Sequence, residues 1–239
     1  MHMYLENIVF DAVDPRRLGR FWQELLGCEQ LTDTPEGFET RLSIPGGPTL
    51  DLCFQPVPAP PAEPVRLHLD LLGGTGRDAV VASARDLGAT DLDIGQREVP
   101  WVVLGDPEGN AFCVMEDRDA YRDTGPIAAL PLDSADPERD GEFWSWLTGW
   151  TADPAEPRTL RHPSRRGPLL ALCEEPAAKP ERKNRMHLDL RLEAADDPDA
   201  VAAGIHARGG REIHPGWGDL PWRIYQDPSG NEFCVLPAS

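Results

Sequence analysis

Trp101-Val-Val-Leu-Gly-Asp106-Pro-Glu-Gly109-Asn110-Ala-Phe112-Cys113-Val114 returns later as Trp222-Arg-Ile-Tyr-Gln-Asp227-Pro-Ser-Gly230-Asn231-Glu-Phe233-Cys234-Val235. Asp227 stands 121 positions after Asp106. Working outward, Leu67-His68-Leu69-Asp70-Leu71 returns as Met186-His187-Leu188-Asp189-Leu190, 119 positions on. Asp14-Pro15 with Phe21-Trp22 returns as Asp136-Pro137 with Phe143-Trp144, 122 positions on. Offsets that drift so little over the whole length mean one duplicated unit with small loop insertions. The polar stretch 117–125 is the natural linker, so the units are expected at 1–118 and 125–239.

Each copy divides again. Residues 56–64, Pro-Val-Pro-Ala-Pro-Pro-Ala-Glu-Pro, cannot continue a regular strand or helix, and residues 174–184 of copy two are likewise polar and broken by Pro176 and Pro180. Within the first segment residues 4–10 read as a strand. Asp14 then caps a helix with Pro15 at its first position. Leu18, Phe21, Trp22, Leu25 and Leu26 give that helix one apolar face, and Gly27 ends it. Strands follow near 38–44 and 49–54. The second segment repeats the order: strand 66–72, helix 77–87 closed by Gly88, and strands near 91–94, 100–104 and 111–116. Asp106-Pro107-Glu108-Gly109 is a turn joining the last two. The fourth segment starts its helix after Asp197-Pro198. Four βαβββ modules make an α+β chain.

The chain has 239 residues, 41 Asp plus Glu against 23 Lys plus Arg, and a net charge of −18. That field repels phosphate backbones and anionic headgroups, which excludes nucleic acid and membrane surfaces as partners. It attracts cationic ligands. No apolar run is long enough to span a bilayer, and no basic segment leads into an apolar one at the start. Five cysteines without a CxxC pair make no disulfide framework and point to a reducing cytoplasm.

The four βαβββ units, the paired HLDL segments and the two DPxGN turns followed by Phe-Cys-Val resemble the vicinal oxygen chelate superfamily, which includes glyoxalase I, bleomycin-resistance proteins and extradiol dioxygenases, and within it the glyoxalase-like domains. The resemblance covers nearly the whole chain. It implies tandem glyoxalase-like domains whose modules pair into open, cup-shaped mixed sheets, with helices outside and ligand inside. It also implies where metal ligands would come from in metal-dependent members: the first and last strands of modules, as His, Glu or Gln. The first-strand position falls at Ile8 and Leu130, which cannot bind a metal. The second-module position falls at His68 and His187, and the last-strand carboxylate position at Cys113 and Cys234. In the swapped arrangement Ile8 joins His187 and Cys234, and Leu130 joins His68 and Cys113. Two ligands remain where three are usual. The expectation is therefore no metal site and no cofactor, with a divalent metal as the alternative.

Strand alternation places Asp70 on the face of His68, Asp189 on that of His187, and Glu232 beside Cys234, where copy one has Ala111. Each Asp could orient its imidazole or make it a general base. Phe21, Trp22, Phe143 and Trp144 read as core, as do Phe112, Val114, Phe233 and Val235. Cys53 and Cys173 read as matched small buried hydrophobes. Cys113 and Cys234 face the cups as inert thiols. Trp101 and Trp222 are aromatic walls if they face the same way. Trp146, Trp150 and Trp217 occur in copy two alone, so the cups should differ in shape. The residues expected at ligand sites are thus His68, Asp70, Trp101, Cys113, His187, Asp189, Trp222, Glu232 and Cys234, with His68 and His187 catalytic if the protein is an enzyme. The expected function is metal-free binding of a cationic or aromatic small organic molecule. The alternative is a lyase, isomerase or dioxygenase of the same superfamily, metal-dependent or using His68 or His187 as base. The expected assembly is a monomeric pseudo-dimer or a homodimer.

Overall fold

The computed structural model describes residues 3–59, 65–154, 156–216 and 218–239, so Trp217 and most of the Pro-rich stretch lie outside the described residues. The first module runs β1 (Tyr4–Ala12), α1 (Pro15–Leu26), β2 (Glu29–Thr34), β3 (Gly37–Ser43) and β4 (Thr49–Pro56). The second runs β5 (Leu69–Leu72), α2 (Arg77–Asp86), β6 (Thr90–Asp91), β7 (Val102–Gly105) and β8 (Ala111–Met115). The third runs β9 (Ile127–Ser134), α3 (Pro137–Thr148), β10 (Thr151–Ala152), β11 (Thr159–Arg161) and β12 (Leu169–Glu174). The fourth runs β13 (Met186–Arg191), α4 (Pro198–Ala207), β14 (Arg211–Ile213), β15 (Arg223–Gln226) and β16 (Glu232–Leu236).

The helix starts follow from side-chain caps. Asp14 accepts from the backbone N–H of Arg17 at 3.0 Å, Asp136 from that of Arg139 at 3.1 Å and Asp197 from that of Asp199 at 2.9 Å. Each cap is followed by Pro at the first turn, where its missing N–H costs nothing. Gly27 and Gly149 close α1 and α3 in the left-handed region, where a side chain would be strained.

Modules pair across the duplication. One eight-stranded sheet has the order β14-β15-β16-β13-β1-β4-β3-β2, combining the first and fourth modules. The other, β10-β11-β12-β9-β5-β8-β7-β6, combines the third and second. Both are mixed: β1 runs antiparallel to β13 and parallel to β4, and β5 runs antiparallel to β9 and parallel to β8. On one face of each sheet the helices and a single apolar core meet. Trp22 and Trp144 are almost fully buried there and pack edge-on against Phe112 and Phe233 at 5.1 and 5.4 Å. The other face of each sheet is a cup.

The DPxGN turns tie these layers together. Asp106 accepts from the backbone N–H of Glu108 and Asn110, the Asn110 side chain and the Trp22 indole at 2.8–3.2 Å. Asp227 repeats the pattern with Ser229, Asn231 and Trp144. One turn carboxylate thus satisfies four donors and pins a helix to the last strand. Burial raises both carboxyls, Asp227 to about 6, against these hydrogen bonds.

Candidate functional site

Parallel pairing builds the chemistry. Asp189 on β13 is opposite Cys234 on β16, and Asp70 on β5 is opposite Cys113 on β8. His187 and His68 stand two residues earlier than their Asp, on the same face. In each cup the His, Asp and Cys donor atoms therefore lie within 4.8 Å of one another. Both imidazoles put Nε2 3.4 Å from the Asp Oδ1. Three donors per cup overturn the expectation of a metal-free, cofactor-free protein. The two-ligand count looked for its third donor on the first strand, whereas the Asp of His-x-Asp supplies one within the same module.

The residues present suit a metal. Imidazole nitrogen, carboxylate oxygen and thiolate sulfur form a donor set for zinc, iron or cobalt. Asp70 Oδ1, Asp189 Oδ1 and His187 Nδ1 are buried without a hydrogen-bond partner among the described residues, a costly state unless something else pairs with them. The thiols of Cys113 and Cys234 are pushed far up, first by burial and then by the charge of the neighbouring Asp. A divalent cation among these groups reverses that balance, because a coordinated thiol is deprotonated.

The first-strand position also moves. Ile8 and Leu130 are fully buried on the helix side, so neither faces a cup. Alternation makes a one-residue shift a change of face. Asn7 is the cup-facing residue on β1, and its amide donates to Asp189 Oδ2 at 3.0 Å. Its counterpart opposite Asp70 is Ala129.

His187, Asp189, Trp222 and Cys234 line a cavity of about 690 Å³ in the first cup, with Asn7, Asp11, Glu39 and Lys183. His68, Asp70, Trp101 and Cys113 line one of about 410 Å³ in the second. Both tryptophans therefore face cups. Glu232 shares the strand face but lies outside the cavity lining: it accepts from Lys179 at 2.8 Å, from the Gln226 amide and from the backbone N–H of Asn184. Cys53 is buried as expected, but Cys173 is exposed and the two positions do not match. Cys53 pairs with Val9 and Cys173 with Asp133, one cup position further along, and each lines its cavity. Asn7, Asp11, Glu39 and Lys183 carry no motif. Only the registers of β1 against β13 and of β3 against β4, and a loop reaching back over them, reveal them. No described helix is long and apolar enough to cross a membrane.

Among solved structures, glyoxalase I from Zea mays is 14% identical, with 98% of this chain and 92% of that chain covered at a TM-score of 0.65. A putative dioxygenase from Bacillus subtilis subsp. subtilis str. 168 is 13% identical, with 99% and 85% covered at 0.62. The cppA protein from Streptococcus pneumoniae TIGR4 is 9% identical, with 100% and 98% covered at 0.52. At these identities the likeness is one of fold. Comparison with curated proteins returned no match. The glyoxalase-like domain pattern matches twice, at residues 7–115 and 129–236, one match for each copy of the duplication. With nearly its whole length accounted for in this way, the chain belongs to the glyoxalase-like domain family, within the vicinal oxygen chelate superfamily.

Proposed function

We propose that the protein is a metal-dependent enzyme of vicinal oxygen chelate type, a lyase, isomerase or dioxygenase acting on a small organic molecule held in its cups. The observation that carries this reading is the His, Asp and Cys cluster within 4.8 Å, repeated in both cups. A divalent metal bound there supplies Lewis-acid polarisation of a substrate oxygen. The chain's own residues supply the rest. His187, Asp189 and Cys234 hold the ion in the first cup, and His68, Asp70 and Cys113 hold it in the second. Asn7 orients Asp189 through its amide, as partners of ligating carboxylates do. Glu39 is a carboxylate on the wall of the first cavity, placed to take a proton from bound substrate, whereas Asp11 there is ion-paired with Lys183. With imidazole nitrogens engaged by metal, the His residues are ligands and not bases. Free cysteines at all five positions go with a reducing, cytoplasmic setting.

The test is thermal unfolding of the full chain with added zinc. At a hundred times its dissociation constant a single bound ion adds about 2.7 kcal/mol. The rise in melting temperature should shrink in Cys234→Ser and in Cys113→Ser and vanish in the double variant. No rise, or a rise untouched by both substitutions, contradicts the reading.

A further inference from the structure

The duplication allows a second comparison, on the helix-bearing side of the sheets. Arg16, Gly19, Arg20 and Gln23 of α1 correspond to Glu138, Gly141, Glu142 and Ser145 of α3, each 122 positions on. Steps of three and four put each set on one helix face. In the first copy the chain covers that face itself. Phe38, fully buried, lies against Gly19 so closely that a Cβ there would stand 2.2 Å from its ring. Asp33, the cross-strand partner of Phe38, reaches Arg16 at 2.6 Å and Arg20 at 3.5 Å. A ring on the glycine and a charge opposite in sign to the helix pair complete the face.

Among the described residues neither covering group is repeated in the second copy. β10 has two residues where β2 has six. The registers that align Phe10, Phe54 and Phe38 align Leu132, Leu172 and Arg158, and the Arg158 guanidinium is held by Glu174 at 3.1 Å. A Cβ on Gly141 would meet nothing within 4 Å. What remains is a groove of about 530 Å³ with Pro137, Ala152, Pro157 and Leu160 around Gly141. Glu138 and Glu142 stand at its edge in place of the two arginines, with no ion-pair partner among the described residues.

We infer that the groove over α3 is a binding site for a small arylalkylammonium compound, whose ring takes the place on Gly141 that Phe38 takes on Gly19 and whose cation meets Glu138 and Glu142 as Asp33 meets Arg16 and Arg20. The reversed sign of the helix pair selects a cation, and the net charge of −18 reinforces that preference. Cross-strand neighbours such as Asp33 and Phe38 lie close together, so the link between ring and charge is short. The groove shares no lining residue with either cup, which makes its test independent of the proposed metal chemistry.

The probe is 2-phenylethylammonium chloride, titrated into the full chain and followed by amide NMR. The expected result is saturable shifts at Gly141, Ser145 and Leu160 and not at His68 or His187, in the millimolar range usual for so small a ligand. Arg158→Phe should remove them, because the new ring fills the place of the missing one. A Glu138→Gln, Glu142→Gln double variant, changed only at exposed positions, should weaken binding about fivefold. 2-Phenylethanol, the same ring without the charge, should bind more weakly by a similar factor. The absence of saturable shifts, shifts centred on the cups, binding that survives Arg158→Phe, or equal binding of the alcohol and the ammonium compound would each overturn the inference.

Discussion

Replacing Asp227 with Asn probes the turn that locks each helix to its sheet. The carboxylate is buried and takes four donors: the backbone N–H of Ser229 and Asn231, the Asn231 amide and the Trp144 indole. An Asn side chain keeps one acceptor oxygen and turns an NH2 toward the other two donors. Two buried donors then lose their acceptor, which costs about 2–4 kcal/mol. The loss should depend on pH. Burial raises this carboxyl from its ordinary 3.8 to about 6 in the folded chain. The native state thus keeps its proton where the unfolded state has released it, and the resulting stability is lost as pH rises through the folded value. Between about pH 5 and pH 7.5 the difference is about 1.4 kcal/mol. Urea unfolding followed by circular dichroism should show wild type exceeding Asp227→Asn by about 1.4 kcal/mol more at pH 5 than at pH 7.5. A gap independent of pH would refute the reasoning and show that the four donors hold the carboxylate ionised despite its burial.

Lys179 and Glu232 form an ion pair in which both side chains are 5% exposed, so Glu232→Ala should cost about 3–5 kcal/mol by stranding the ammonium. A Lys179→Met, Glu232→Leu double variant should recover only part of this in urea unfolding, because the Asn184 N–H and the Gln226 amide still lose their acceptor, and full recovery would contradict those hydrogen bonds. Residues 1–118 expressed alone should dimerise or aggregate in sedimentation, because β1 and β5 lose their partners β13 and β9. A soluble monomer would contradict that.

Much of the fold is legible from local chemistry. Asp-Pro pairs mark three helix starts, Gly27 and Gly149 mark ends, and the DPxGN turns mark the last hairpin of each copy. β2 is hidden because Glu29–Thr34 is an edge strand without a buried face, so no apolar alternation announces it. The candidate site is half legible. His68, Asp70, His187 and Asp189 follow from alternation along one strand, but their closeness to Cys113 and Cys234 depends on parallel register between strands far apart in sequence. The slip from Asn7 to Ile8 has the same origin. Both residues sit in an apolar strand covered on one side by core and on the other by a cup, and periodicity there does not say which side is which.

Metal binding by His, Asp and Cys in each cup is the proposal on which the enzymatic reading depends. Cobalt(II) added to the full chain under reducing, anaerobic conditions tests it directly, because a thiolate ligand gives a sulfur-to-cobalt charge-transfer band. Such a band should rise with cobalt to at most two equivalents per chain, be diminished in Cys234→Ser and in Cys113→Ser, and be absent when both are replaced. A titration without that band, or one that the double replacement leaves unchanged, would contradict it.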